Sequence, residues 1–364
     1  MDTRADDRLS TGAGARIVGL DVARGLAIIG MFAAHVVPRA DEAELLVDGR
    51  SSILFATLAG ISLGIMTGHA RPLPRGSRAD RLVGIGARAV ILFVLGATLA
   101  GLSSGVAIIL DYYAIMFLLM IPVLFLKRWM LAGIGVLLVG LAPVLGAGQR
   151  DVDYEAGPVA LVMDYYLLNG FYPVLIWLPF LLAGLISARS DLSRPLTQVL
   201  MMVLGLFFAV AGYGAALVIP GVSAEAHSGS TSEVLGSGGL ALAVIGALLW
   251  VTAPERGRPG RLTRAVLTPV AAAGAMALTL YTLQILALAA LVAAQENGTD
   301  EGLLGWDYPG WPLLIGLIVA SVGFAVIWRR LLGKGPLERV LALVTQPLRR
   351  RHRKPQPLGQ QSPE

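Results

Sequence analysis

The sequence predicts an all-helical bundle of about ten membrane-spanning helices, and three observations support this fold class. The chain has 364 residues, of which 55% are hydrophobic and only 15% are charged. Its mean hydropathy is +0.71. Apolar runs of about 18 to 25 residues recur along it, which is long enough to cross a bilayer core of roughly 30 Å. We expect helices because a helix in lipid satisfies its backbone hydrogen bonds internally.

Ten apolar segments are predicted to span the membrane. They are residues 17–37, 52–68, 82–102, 106–126, 129–145, 171–188, 196–219, 236–253, 266–294 and 311–328. The ninth is longer than a bilayer requires, and Pro269 predicts a kink or an interfacial start within it. The predicted organisation is a tail at residues 1–16, one membrane domain at 17–330 and a terminal region at 331–364.

The positions of Lys and Arg predict the orientation of these spans. If the N-terminus is cytoplasmic, the inner segments contain 25 of the 29 basic residues. Only Arg39, Arg50 and Arg150 fall outside, and Arg24 lies within the first span. Because basic loops resist export, this asymmetry predicts cytoplasmic termini and a bacterial inner-membrane protein. The first span lacks a convincing cleavage site, so we interpret it as retained and not as a signal peptide.

The net charge of +5 is concentrated in the inner loops and in a basic run near the C-terminus, RRRHRK at Arg349 to Lys354. This placement favours anionic lipid headgroups as the partner and argues against nucleic acid. Just before that run, apolar residues recur at helical spacing, which predicts an amphipathic helix over residues 336–348 that anchors the chain in the interface. A homodimer is left open.

Composition also excludes several kinds of site. The chain has no cysteine and four scattered histidines, so no metal site is predicted. There is no phosphate-binding loop, no GxSxG nucleophile elbow and no HExxH motif. Candidate chemistry must therefore come from polar residues inside the membrane, where a charge costs at least about 2.5 kcal/mol.

The first span carries three such residues on one face. Arg24 and His35 are eleven positions apart, which at about 100° per residue is three turns plus about 20°. Asp21, Ile28 and Met31 share that stripe, which we expect to face the bundle interior. The stripe would place an arginine near the cytoplasm and a histidine near the outer face. The alternative is a structural Asp21–Arg24 ion pair with an ordinary interfacial histidine.

Other polar residues are weaker candidates. Asp111 is predicted at the depth of His35, where a carboxylate could orient the imidazole of a general base. His227 opens the polar segment HSGSTSE, which could equally be a helix cap with a solvated histidine. Gln284 is interpreted as a polar residue that holds two helices together by a hydrogen bond. Arg88 is interpreted as a residue whose side chain extends to the membrane interface. Gly60 and Gly64 predict a helix-packing surface.

Several stretches resemble a known family of membrane proteins. Arg24-x10-His35 is similar to the R-x10-H motif of acyltransferase-3 enzymes, and the first span resembles YeiB-like and heparan-alpha-glucosaminide N-acetyltransferase-like proteins. The YeiB-like branch carries the domain of unknown function 418. Four further stretches resemble that branch: DGRSSILFATLAGISLGI at 48–65, LIWLPFLLAGLISAR at 175–189, GAMALTLYTLQ at 274–284 and KGPLERVLALVT at 334–345.

This resemblance implies an enzyme that moves an acyl group from cytoplasmic acyl-CoA, such as acetyl-CoA, to an envelope glycan, lipid or secreted metabolite. No permanently bound cofactor is implied. His35 would deprotonate the acceptor or carry the acyl group, and Asp111 would orient the His35 imidazole. His227 is a further catalytic candidate. Arg24, held by Asp21, would bind CoA. A transporter or flippase with a polar pathway is the competing hypothesis, and a non-catalytic relative is a third.

Overall fold

A computed structural model describes residues 17–37, 44–146, 157–296 and 310–345, and within these ranges every regular element is a helix. The α-helices are α1 (Val18–Val36), α2 (Arg50–Met66), α3 (Ala79–Ala100), α4 (Leu110–Met120), α5 (Arg128–Gly146), α6 (Pro158–Asp164), α7 (Val174–Ala188), α8 (Pro195–Val218), α9 (Thr231–Val251), α10 (Gly257–Gly274), α11 (Ala277–Glu296), α12 (Gly310–Leu331) and α13 (Pro336–Thr345). The prediction of an all-helical fold is confirmed for this part of the chain.

The helices agree with a multi-pass membrane protein. Among the described residues, six helices are long and apolar enough to cross a membrane. The count is seven if the pair formed by residues 158–169 and α7, bent by 52°, is one span. Three shorter apolar helices at Arg50–Met66, Leu110–Val123 and Arg128–Leu141 accompany them. The total of ten spans and the cytoplasmic termini stay predictions.

The predicted ninth span is two helices, and the chain breaks at a different position from Pro269, where a kink or an interfacial start stays a prediction. Pro269 lies inside α10, whereas the chain breaks at Ala275 and Met276, between α10 and α11. The break follows Gly274, whose missing side chain lets it lie against the backbone of Asp21 in α1. A Cβ at this position would collide with that backbone. The break therefore lies beyond the proline, next to the close contact between α10 and α1.

The small-residue pair in α2 is a packing surface, as the sequence predicted. Gly60 faces the backbone of Leu181 in α7, and Gly184 of α7 faces the backbone of Thr57 in α2. A Cβ at either glycine would collide with the opposite backbone. Since helices in lipid associate through close packing more than through the hydrophobic effect, these glycines bring α2 and α7 together.

The predicted amphipathic helix exists as α13, and it packs into the bundle against α3 and α11. Leu341 is buried, and Glu338 caps the N-terminus of α11. Its carboxylate accepts hydrogen bonds from the backbone N–H of Leu278 at 2.9 Å, the N–H of Thr279 at 3.1 Å and the Thr279 hydroxyl at 2.6 Å. The basic run at 349–354 lies outside the described residues.

Arg189 joins three chain segments that the sequence places at the cytoplasmic side. Its guanidinium donates to the carbonyl oxygens of Gly64, His69 and Leu124, at 3.1, 2.5 and 2.9 Å. It also donates to the Thr67 hydroxyl at 2.7 Å. The side chain therefore donates to carbonyl groups at the end of α2 and at the end of the segment after α4, and connects both to the end of α7.

We expect Arg189→Ala to lower the free energy of unfolding by at least about 2 kcal/mol, because it removes four hydrogen bonds donated by a buried, charged side chain. Arg194→Ala is the matched control, since its side chain is 75% exposed and pairs only with Asp191. The measurement is the thermal unfolding temperature of both variants in detergent. Equal temperatures for the two variants would contradict the structural role of Arg189.

Candidate functional site

A narrow cavity of about 340 Å³ lies between α1, α2, α3, α4, α11 and α13. Its lining is mostly apolar, and two arginines, Arg24 and Arg88, are its basic residues. Met31 of α1 also lines it, while Asp21 and Ile28 are buried. The predicted stripe on α1 therefore faces the bundle interior, as the 3.6-residue period required. Tyr113 and Tyr281 contribute aromatic walls.

Arg24 is held by two neighbours. Its Nη1 donates to Asp21 Oδ1 at 3.1 Å, and its Nη2 donates to the hydroxyl of Ser62 in α2 at 2.8 Å. The Asp21 side chain is 4% exposed and that of Arg24 is 24% exposed, so the pair is largely removed from water. The ion pair predicted as an alternative is present. It also orients a guanidinium group along the cavity wall, so the pair does not exclude a binding role for Arg24.

A second and wider cavity of about 1420 Å³ lies next to the narrow one. Five residues line both cavities: Ile65, Met66, Arg88, Glu338 and Leu341. The wide cavity also contacts the loops after α2 and α9, which the sequence places on the cytoplasmic side. Because their walls share these residues, the two cavities adjoin each other, and the wide one extends to that side.

His35 lies beyond the narrow cavity on the same stripe of α1. It is one turn past Met31, or about 6 Å along the helix axis. Its Nδ1 is 2.9 Å from Nε2 of Gln284, which is one turn past the cavity residue Tyr281 in α11. The side chain is half-buried. The partner that fixes His35 in the structure is thus Gln284, which the sequence had suggested only as interhelical glue.

The pairing with Gln284 has a consequence for the imidazole tautomer. If the Gln284 amide donates to Nδ1, the ring proton is on Nε2. If the amide is rotated, its oxygen Oε1 accepts a hydrogen bond from Nδ1–H, and Nε2 of the ring then carries no proton. In the structure Oε1 of Gln284 is buried without a hydrogen-bond partner. Rotation would pair Oε1 with the ring and put the NH2 group in its place, so in either orientation the amide pairs with Nδ1. Both tautomers are thus available to His35.

Asp111 pairs with a different residue. Its Oδ2 accepts a hydrogen bond from the Tyr166 hydroxyl at 3.0 Å, and its Oδ1 is buried without a hydrogen-bond partner. Tyr166 belongs to the turn of π-helix at Tyr165–Asn169, just before the bend that leads into α7. Its ring packs edge-on against Tyr112 at 5.0 Å. The structure thus brings Asp111 into a tyrosine cluster, and its hydrogen bond goes to Tyr166 instead of His35.

His227 lies among aromatic rings on the far side of that cluster. Its ring centroid is 4.3 Å from Phe171 and 5.4 Å from Tyr172, and it stacks on Trp177 at 6.1 Å. Nδ1 is buried without a hydrogen-bond partner. Burial lowers the pKa of His227 to about 4, so the ring is neutral at ordinary pH. A base this weak is poorly matched to proton abstraction near pH 7.

The backbone around His227 forms a helix cap, one of the two functions predicted for this segment. Ser230 is the N-cap of α9 and accepts from the Glu233 N–H at 2.9 Å. Glu233 in return accepts from the N–H groups of His227 and Gly229, at 2.7 and 2.8 Å. This Ser-x-x-Glu capping box could have been identified in the sequence. The predicted solvated histidine is wrong, since the ring is packed among aromatic side chains.

The comparison with known families concerns the carboxyl-terminal part of the chain. The family model described as "Protein of unknown function (DUF418)" matches residues 184–346. These residues form a DUF418 region. The resemblance to the YeiB-like branch is confirmed to this extent, and the link to acyltransferases stays a prediction. No curated protein matches the chain.

The DUF418 region contributes Arg189, Gln284 and Glu338 to the arrangement described above. Two of its sequence stretches meet in the structure, because Glu338 from KGPLERVLALVT caps the helix that begins within GAMALTLYTLQ. Arg24, His35 and Arg88 precede the region. The cavities therefore lie where the DUF418 region packs against the first helices of the chain.

The depressed pKa of His227 predicts how stability depends on pH. The unfolded chain binds a proton near pH 6.5, whereas the folded chain binds it only near pH 4. The contribution of the neutral His227 to the free energy of unfolding is therefore fully present above pH 6.5 and is lost as the pH falls toward 4. We expect the difference in unfolding temperature between wild type and His227→Phe to be constant above pH 7 and to shift in favour of the variant below pH 6.

Thermal unfolding measured from pH 4 to 8 checks this expectation. His69→Asn is the control, because His69 is an exposed histidine with positive φ, a conformation that asparagine tolerates. A pH-independent difference between wild type and His227→Phe would contradict a buried, neutral His227.

Proposed function

We propose that this protein is a membrane acyltransferase that takes an acyl group, such as acetyl, from cytoplasmic acyl-CoA. The acceptor would be an envelope glycan, a lipid or a secreted metabolite at the opposite face. The observation that carries the proposal is the order of three features of the structure, which we interpret as one path. A wide cavity leads through Arg88 and Arg24 to an apolar chamber, and the His35–Gln284 pair lies one helical turn beyond it.

The chemistry assigns a separate task to each part of this path. The arginines would bind the phosphate groups of CoA, since guanidinium groups donate several hydrogen bonds to phosphate oxygens. The apolar chamber, at about 340 Å³, is within the usual size range of small-molecule sites and would hold the pantetheine arm with its acyl thioester. His35 would then meet the thioester end of the donor, because it follows the chamber on the same face of α1.

The reaction at His35 is a transfer from sulfur to oxygen or nitrogen. In the direct route, Nε2 of His35 removes a proton from the acceptor, whose lone pair attacks the thioester carbonyl. The carbon–sulfur bond breaks, and the CoA thiolate takes up the proton. In a two-step route the imidazole nitrogen attacks the thioester and the CoA thiolate leaves. The acyl group then passes to the acceptor, whose proton goes to the thiolate, and the imidazole is restored. Both routes need Nε2 of His35 unprotonated, which the rotated Gln284 amide provides.

We expect His35→Ala to abolish acylation in a deletion strain complemented with the variant, because either route requires the imidazole. Mass spectrometry of envelope glycans, lipids and secreted metabolites is the measurement. Leu26→Ala is the matched control on α1, since Leu26 is 39% exposed and faces away from the cavity. Equal acylation with His35→Ala and wild type would reject the catalytic role of His35.

Gln284→Leu tests the positioning of the imidazole. The variant keeps the side-chain volume but loses the contact to Nδ1, so the catalytic tautomer is no longer favoured. We expect kcat to fall about tenfold or more while the KM for the acyl donor stays close to wild type. A higher KM with unchanged kcat would show instead that Gln284 serves only to shape the cavity.

Transport of a small molecule is the second candidate, and the structure supplies one observation in its favour. The sequence showed no interrupted helices, yet the described chain has a break between α10 and α11 and a bend between residues 158–169 and α7. Interrupted helices often form substrate sites in transporters. Protection of the purified protein against thermal unfolding by acetyl-CoA would favour the enzyme, and acceptor uptake into proteoliposomes without acyl-CoA would favour transport.

A further inference from the structure

Arg88 is the least satisfied charged side chain along the path. Its Nε atom is buried and has no hydrogen-bond partner. Within the described residues its guanidinium makes no hydrogen bond or ion pair, in contrast to Arg24, which has Asp21 and Ser62. Arg88 is half-buried, and a cation without partners is costly in a membrane bundle, so an external anion would stabilise it.

The position of Arg88 corrects the interpretation that it snorkels to the membrane interface. It is one of the five residues that line both cavities, so its guanidinium lies at the boundary between them. It is the tenth residue of α3, about 13 Å along the axis from the start of the helix. The side chain is thus directed into the bundle, where a ligand entering from the wide cavity would pass it.

The acid nearest to this boundary is already engaged. Glu338 lines both cavities, and its charge acts on Arg88. Both of its carboxylate oxygens, however, accept hydrogen bonds from Leu278 and Thr279 at the N-terminus of α11. Glu338 therefore neutralises the helix terminus, and the guanidinium of Arg88 keeps its donors for another anion.

The two cavities differ in what they can accept. The wide cavity is lined by both signs of charge, with Arg71, Arg81 and Arg264 facing Asp80, Asp191 and Glu255, so it suits a polar group. The narrow cavity is mostly apolar and suits an extended arm. A ligand that spans both would place the junction between its polar head and its arm beside Arg88 and Arg24.

We infer that Arg88 and Arg24 form a binding site for the phosphate group of a phosphate ester whose arm occupies the narrow cavity. Arg88 supplies the donors that are unpaired in the structure, and Arg24 adds a second positive charge held in place by Asp21. The identification of this ester as acyl-CoA rests on the proposed function. A lipid phosphate that enters the apolar chamber tail-first has the same chemistry, and the test separates the two.

The test measures binding of acetyl-CoA and of a polyprenyl phosphate to the purified full-length protein by isothermal titration calorimetry in detergent. We expect Arg88→Gln to weaken binding of the preferred ligand by at least tenfold, because a charge-assisted contact to phosphate is lost. Arg330→Gln is the control, since Arg330 is an exposed arginine outside both cavities, and should bind like wild type.

The possible results distinguish failure of the proposed phosphate site from failure of acyl-CoA as the acyl donor. Loss of polyprenyl phosphate binding in Arg88→Gln, with no acetyl-CoA binding by wild type, would support the phosphate site and overturn the acyl-CoA donor. Acetyl-CoA binding that is unchanged in Arg88→Gln would overturn the site and leave the donor standing. Failure of wild type to bind either ligand would also overturn the site.

A second variant covers the case in which Arg88→Gln does not fold. Arg88→Lys keeps the charge but loses the planar guanidinium geometry, so we expect binding several-fold weaker than wild type. Wild-type affinity in this variant would count against a hydrogen-bonded phosphate at Arg88. Elution as a single peak in size-exclusion chromatography establishes that each variant used is folded.

Discussion

The capping of α11 by Glu338 connects the last helix of the described chain to the centre of the bundle. A helix that begins within the bundle has backbone N–H groups in its first turn without intrahelical partners. Glu338 supplies a carboxylate from α13, sixty residues away from Leu278 along the chain. With this contact the break between α10 and α11 can exist, and residues at the break, Gly274 to Leu278, form part of the cavity wall.

The same contact occupies the N-terminus of α11, so the anion that we propose for the cavity would not bind there. The N-terminal end of a helix attracts negative charge, and in many proteins a ligand phosphate occupies that position. Here an internal carboxylate occupies it. In our proposal the anion therefore binds to Arg24 and Arg88, which line the chamber from α1 and α3.

The sequence predicted much of this arrangement where a single helix determines it. The period of α1 placed Asp21, Arg24, Ile28 and Met31 on the buried face, and glycine spacing predicted how α2 packs on α7. It could not predict contacts between distant segments. The cap from Glu338, the Arg189 contacts, and the partners Gln284 for His35 and Tyr166 for Asp111 all depend on which helices become neighbours, and no local pattern specifies that.

The two histidine candidates show how surroundings decide the chemistry of one residue type. His227 is packed against three aromatic rings, and burial keeps it neutral with a pKa of about 4, so it suits a structural role at the cap of α9. His35 instead has an amide partner that can hold either tautomer, and it follows an arginine-lined cavity. An imidazole that exchanges protons needs such a reversible partner and access to a substrate. This contrast favours His35 over His227 as the reactive group, although both lie in segments that the sequence placed at the outer face.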